Sequence, residues 1–437
     1  PRDVDPTVRE LAVAYDALGR PLLWTSKDKG GLPLNQVQRA YDGLGHVVQQ
    51  WQAEAGAVTG GSPSVRYVYD SNFTDNYSRL EKVIYPNGRV VWYDYNSGID
   101  NTISRVSGIS DGTESTITAR IEGYGYLGLN RVVERSLPGV ALGQSYADSL
   151  TPPVRPVDAS YPSDPRVGQS DGGDIYTGLD RFGRVLQYAW VDSAVAGNNP
   201  AKYLDAYRYA YDSSANVLYR QNVVNAALSE LYHEDEAKAN EFVTSPSPIL
   251  PAYDALNRAT HLQRGTLAAS VTNGRLNEVT GTGVFAQHWT LDHQGNRLTM
   301  SGQASKTFNV KNQATNLAAD YDANSNLARL ARGDGVHDLV FDAWGRLRSI
   351  TLHGSSPANN VVYDYDALGN LIKADFSNNN GPDTVYIYGA DGREVEERSP
   401  GSGVARYQYV WSAADGRLVL RDGNTCLLYT SPSPRDS

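Results

Sequence analysis

The chain has 437 residues, with 39 Lys and Arg against 49 Asp and Glu, for a formal net charge of −10. That balance offers no basic stripe to release counterions from phosphate, which argues against nucleic acid as a partner, and no run of ~18 apolar residues exists to span a bilayer. With 41 Gly and 21 Pro the chain is turn-rich without being low-complexity, and length alone sets a prior of about three domains.

The residue mix is unusual in its aromatics: 29 Tyr against 7 Phe, with 1 Met and 1 Cys. Tyrosine brings a large apolar ring and a hydroxyl that seeks a partner, so it suits half-buried surfaces. The chain opens at Pro1 with Met300 as its one methionine, and no charged segment followed by an apolar one reads as a signal peptide.

Taken in order, residues 1–137 carry the first copies of a short pattern. Tyr15-Asp16-Ala17-Leu18-Gly19-Arg20 is followed by Leu22 and Leu23, and Tyr41-Asp42-Gly43-Leu44-Gly45-His46 by Val47 and Val48. Residues 138–173 break the rhythm with Pro152, Pro153, Pro156, Pro162 and Pro165 among Ser and Asp, and read as a loop or linker. The pattern returns over 174–224 with Leu179-Asp180-Arg181-Phe182-Gly183-Arg184 and, more loosely, Tyr211-Asp212. Residues 225–250 read as a short helix or polar insertion, from Ala226, Ala227, Leu228, Leu231 and Tyr232 and the charged run after them. Residues 251–425 hold the densest copies: Asp254 with Asn257, Asp292 with Gly295, Asp342 with Gly345, and Asp366 with Gly369, plus looser ones at Tyr321-Asp322, Tyr388 and Trp411. The last stretch, Cys426–Ser437, reads like an in-frame translation of a transposase-type sequencing adapter, and without it the chain has no cysteine for disulfides, thiolate metal sites or nucleophilic catalysis.

The pattern has a mechanism. Asp suits the first position of a type I turn and Gly the fourth; the Asp carboxylate accepts from backbone N–H groups two residues on, and Gly takes the left-handed conformation that returns the chain to a strand. Asn257 replaces Gly in one copy, and Asn is the next residue to tolerate that conformation. The unit is therefore a hairpin, and the predicted fold is all-β. Aromatics at i and i+2 (Tyr67 with Tyr69, Tyr207 with Tyr209, Tyr363 with Tyr365, Tyr407 with Tyr409 and Trp411) share a strand face. Repeated at intervals of about 20–40 residues, such hairpins stack, because one alone is not stable.

These strings resemble the RHS/YD-repeat family. The resemblance is densest from His288 to Asn424, through YDANSNLARL, FDAWGRLRSI, YDYDALGNLIK and YQYVWSAADGRLVLRD, and extends over nearly all of Tyr15 to Asn424. It implies repetitive antiparallel hairpins wound into a curved or spiralling sheet, part of a hollow shell, in a secreted or cell-surface protein. In toxin-carrying relatives the shell encloses a C-terminal domain, which an aspartate autoprotease with paired DPxG motifs releases. Here Asp5-Pro6 and Asp164-Pro165 lack the following x-Gly, so the resemblance carries over the shell but neither proteolysis nor toxicity. The expected partner is a C-terminal domain of the same protein, held as cargo.

No catalytic, cofactor or metal site is read from the sequence. A turn Asp repeated many times is committed to its own backbone, whereas glycoside hydrolysis needs one special carboxylate pair. His288 and His293 are five residues apart, and His233-Glu234 lacks the second His of a zinc helix. The chain is thus expected to be a non-enzymatic scaffold. Two other readings stand beside it: an adhesin binding cell-surface glycans through its aromatic strands, and a β-propeller or β-helix hydrolase. In the scaffold reading the tyrosine hydroxyls line the interior. The candidate glycan or cargo contacts are Tyr67, Tyr69, Tyr207, Tyr209, Tyr363, Tyr365, Tyr407, Tyr409 and Trp411. Exposed strand edges would make an open strip self-associate.

Overall fold

A computed structural model describes residues 4–70, 78–137, 142–145, 179–232 (without 181, 193, 194, 196–200, 202 and 213), 252–269, 276–316, 319–332, 335–352, 360–376, 383–413, 417–422 and 425–429. The described chain is almost wholly antiparallel β-structure; its α-helix is the single turn Ile99–Thr102. No described helix is long and apolar enough to cross a membrane.

The chain divides into two compact units, residues 122–308 and the remainder. In the unit built from both ends of the chain, consecutive strands from Glu10–Tyr15 to Gly108–Gly112 each pair with the next in sequence. Strands from Ala319–Tyr321 to Thr425–Tyr429 do the same in a second sheet. Such nearest-neighbour pairing follows from tight turns, which leave a strand nowhere closer to pair than its predecessor.

The inner faces supply the core: Val37, Val65, Ile84, Val91 and Ile109 in the first sheet, and Ile372, Val385, Ile387 and Val410 in the second, are all buried. Between the sheets the contact is polar as well as apolar. Strand Leu371–Phe376 pairs with strand Thr384–Tyr388 only at Val385 and Thr384. Beyond that point Gln52 takes the place of the missing partner, donating to the Tyr386 carbonyl at 2.6 Å and accepting from the Tyr388 N–H at 3.2 Å. Gln50 donates to the Tyr388 carbonyl at 2.9 Å. Each amide satisfies a backbone group whose burial alone would be costly.

The unit of residues 122–308 repeats this plan, from Arg131–Leu137 through to Arg297–Met300. Leu231, Leu267 and Val279 form one of its buried clusters, with Tyr219 and Leu276 packed against it.

Some boundaries differ from the sequence reading. Leu142–Ser145, inside the stretch expected to be loop, is a strand paired on both sides; the rest of 138–173 lies outside the described residues. Over 225–250 the described part is a 3₁₀ turn at Ala226–Leu228 and a short strand Glu230–Leu231, not a helix. The fully buried Leu231 is claimed by the sheet, and three residues cannot propagate a helix. Thr425–Tyr429, which includes the start of the adapter-like tail, pairs with strand Arg417–Asp422.

Candidate functional site

The turn aspartates share one geometry. In the first copy Asp16 Oδ1 accepts from the Leu18 and Arg20 N–H groups, both at 2.9 Å, while Oδ2 accepts Arg20 Nε at 2.6 Å. The Gly19 N–H donates to the Asp16 carbonyl and the Asp16 N–H to the Arg20 carbonyl, closing the turn. The same bonds recur at Asp42, Asp180, Asp254, Asp292, Asp342 and Asp366, with His46, Arg184, Arg258, Asn296, Arg346 and Asn370 on the second carboxylate oxygen. The fourth position is left-handed: Gly45 has φ +93°, and Asn257 takes φ +57° in place of glycine. The pairing register slips by one residue on entering these turns, as at Ala14/Tyr15 and Asp364/Tyr365, which marks a bulge beside the turn.

This bonding sets the carboxylate chemistry. The Arg20 N–H holds Asp16 below the ordinary carboxylate value. The Arg258 guanidinium does so for Asp254, and the Asn296 amide for Asp292. Asp366, 1% exposed, goes the other way because burial penalises its charge.

Successive hairpins are locked together by residues beside these turns. The tyrosine before the turn donates its hydroxyl to a backbone carbonyl of the preceding hairpin: Tyr41 to Pro21 at 2.6 Å, Tyr211 to Val185 at 2.8 Å, Tyr253 to Val217 at 2.8 Å, Tyr365 to Leu347 at 3.0 Å, and Tyr388, whose turn opens on Gly389 rather than Asp, to Leu371 at 2.9 Å. In return the arginine of one turn donates to the carbonyl of the next turn's Asp: Arg20 to Asp42 at 3.0 Å, Arg258 to Asp292 at 2.8 Å, and Arg346 to Asp366 at 2.9 Å. Arg20 and Arg346 also stack on the next tyrosine, 4.6 Å from the Tyr41 centroid and 4.9 Å from that of Tyr365. The turn tyrosines thus spend their hydroxyls between hairpins rather than on an interior surface. Tyr15, with no YD hairpin before it in this sequence, is 60% exposed.

Two turns of this kind escaped the sequence reading. Asp28 caps Gly30 and Leu32 in DKGGL, and Asn309 caps Lys311 and Gln313 with Asn312 at φ +63°. Asp28 follows the charged Lys27 and Asn309 puts Asn in place of Asp, so neither matches the aromatic- or leucine-Asp string of the other turns.

The proposed contact residues are divided between the two units. Tyr207 and Tyr209 lie in the unit of residues 122–308, their ring centroids 6.5 Å apart. Tyr363 and Tyr407 are half-buried in the second sheet of the other unit, and Tyr409 is buried with its hydroxyl on Glu397. Tyr365 lines a cavity of about 220 Å³ with Asn35, Arg348, Asp364 and Lys373.

Tyr67, Tyr69 and Trp411 do converge, on a second cavity of about 320 Å³ between the two sheets of that unit. The sequence reading missed the residues that complete it: Tyr85, Tyr93 and Asp391. Tyr67 Oη accepts the Ala390 N–H at 2.6 Å, Tyr85 donates to the Tyr409 carbonyl at 2.7 Å, and Trp411 Nε1 donates to the Glu394 carbonyl at 2.5 Å. The Tyr93 hydroxyl has no hydrogen-bond partner among the described residues, and burial pushes its pKa up to about 12, with Asp391 adding to the shift.

Other buried carboxylates are matched to cations. Glu122 pairs with Arg135, Glu230 with Arg220 at 3.2 Å and Arg264 at 2.8 Å, and Glu396 with Arg398 at 2.5 Å. Each is 0% exposed.

The comparisons that match are structural. The fold matches the Tc holotoxin pore of Photorhabdus luminescens at TM-score 0.57 and 14% identity, over 96% of this chain and 18% of that one. It matches the TcdB2–TccC3–TEV crystal structure at TM-score 0.52 and 13% identity, over 99% of this chain and 22% of that one. The fold is similar to that of part of these Tc toxin chains. This chain spans about a fifth of the length of those proteins, and at such identity the likeness is one of fold. No family profile matches the chain, and no curated protein does.

Proposed function

We propose that this chain is a non-catalytic structural scaffold: part of an RHS/YD-type shell whose cargo is a C-terminal domain of the same protein, working outside the cell or at its surface. The observation that carries this reading is the closure of the repeat on itself. The turn carboxylates are consumed by their own backbone and side-chain partners, and the turn tyrosines and arginines by the neighbouring hairpin, so the repeated chemistry builds a wall. The likeness in fold to Tc toxin chains supports the same role.

The test is the sequence of the gene around and after these repeats. A conserved-core string with paired DPxG motifs and then a variable domain supports the enclosure; a cell-wall anchor directly after the repeats overturns it. The glycan-binding reading draws on a different observation, the convergence of Tyr67, Tyr69 and Trp411 on one cavity.

A further inference from the structure

The geometry points to the Tyr93–Asp391 cavity as a binding site for one neutral hexopyranose ring. This deepens the glycan reading above, but it requires only a sugar in the cavity, not a role in adhesion.

At about 320 Å³ the cavity lies at the small end of ligand sites and suits a single ring rather than a chain. Its walls carry the aromatic bodies of Tyr69, Tyr85 and Trp411. A pyranose presents a face of C–H groups with partial positive charge, which the negative face of an aromatic ring attracts. Its hydroxyls need a donor and an acceptor, and the cavity has both unspent. Tyr93 offers a hydroxyl that no described residue engages, and Asp391 offers a carboxylate that is only lightly used. Asp391 Oδ1 accepts the Arg393 N–H at 3.1 Å, and Oδ2 lies 3.7 Å from Arg393 Nε.

Gly389 keeps this polar corner open: a Cβ there would come within 2.8 Å of Asp391 Oδ1 and 2.9 Å of Tyr67 Oη. Its backbone φ is not in the left-handed range, so space rather than conformation is what glycine provides.

Charge selects a neutral ligand. Arg393 stacks over Trp411 at 5.4 Å, and Arg39 donates to the Ala390 carbonyl at 2.9 Å. Two guanidiniums therefore stand near one carboxylate. A ligand cation would meet like charges at a ring already occupied by Arg393, and a ligand anion would meet Asp391.

The experiment titrates the full chain with free glucose, galactose, mannose and N-acetylglucosamine. Glucuronate and choline are the charged arms, and saturation-transfer NMR and Trp411 fluorescence are the readouts. At least one neutral hexose binds in the millimolar range, and glucuronate and choline bind more weakly. Tyr93→Phe and Asp391→Asn each weaken that hexose by about tenfold, as expected for the loss of one well-placed hydrogen bond. Gly389→Ala, which crowds the polar corner without touching a ring, weakens it too. Circular dichroism and the tyrosine–arginine lock at Tyr365 stay intact in all three variants. Absence of binding by all four hexoses overturns the proposal, as does tighter binding of choline or glucuronate, or hexose binding unchanged by both Tyr93→Phe and Asp391→Asn.

Discussion

Replacing Arg346 with lysine isolates the link between hairpins from the charge that comes with it. Arg346 uses its fork twice, with Nε on Asp342 Oδ2 at 2.7 Å and Nη1 on the Asp366 carbonyl at 2.9 Å, and it stacks 4.9 Å from the Tyr365 centroid. Its side chain is 14% exposed and that of Asp342 is 0% exposed, so solvent screens the set little. Lysine keeps the charge but is a point donor that cannot serve both oxygens and the ring. One charge-assisted bond is worth about 1.5–3 kcal/mol, and the stacking about 0.5–2 kcal/mol. Arg346→Lys should therefore cost about 2–5 kcal/mol. The reference is Asn370→Ala, because Asn370 bonds only within its own turn, to the Asp366 carboxylate at 3.0 Å; that one bond is worth about 1.5–3 kcal/mol, with no stacking beside it. Urea denaturation of both variants, with the m-value checked for constancy, measures the difference. A double-mutant cycle of Arg346→Met with Tyr365→Leu should give a coupling of about 0.5–2 kcal/mol. A cost for Arg346→Lys no larger than that for Asn370→Ala, together with zero coupling, refutes the reasoning.

Tyr41→Phe removes the bond to Pro21 and should lower stability by about 1 kcal/mol, whereas Tyr15→Phe should be silent because Tyr15 is 60% exposed; denaturation midpoints of the two compare directly. Ala215 sits at φ +68°, where an L-residue with a Cβ is strained, so Ala215→Gly should stabilise by roughly 1 kcal/mol in the same assay. Asp16, Asp254 and Asp292 are held below their ordinary carboxylate value in the fold. Their stabilisation is present above the unfolded value of 3.8 and is lost as pH falls through the lower folded values. Denaturation midpoints should decline in acid, less steeply in a triple Asn variant. Burial lifts the pKa of Tyr211 and Tyr253 to about 12, so ultraviolet titration should leave both protonated at pH values where exposed tyrosine ionises, and Tyr→Phe at either position should remove one late-titrating group.

The turns were legible because their chemistry is local: Asp42 bonds backbone groups within four residues of itself. The locks between hairpins were not, because Tyr253 meets a carbonyl 36 residues back, and reaching it depends on how many residues each intervening loop contains. A hydroxyl expected to face an interior is instead spent on Val217. Strand Leu142–Ser145 is hidden in LGQS, which has neither alternation nor β-branched residues to announce it. The aromatic cavity was half legible: Tyr67, Tyr69 and Trp411 stood out as aromatics spaced by two, but Asp391 lies in a turn whose first position is Gly389 rather than Asp. The packing of one sheet on the other, through Gln50, Gln52, Arg39 and Tyr67 among others, brings the two sets together.

The most direct test of the scaffold account is a cryo-electron-microscopy structure of the protein expressed from its complete gene. The account predicts the hairpin sheets as a wall around density for the C-terminal domain, with the Tyr–Arg locks on the path from hairpin to hairpin. A C-terminal domain standing free of the sheets, with the wall enclosing nothing, would contradict it.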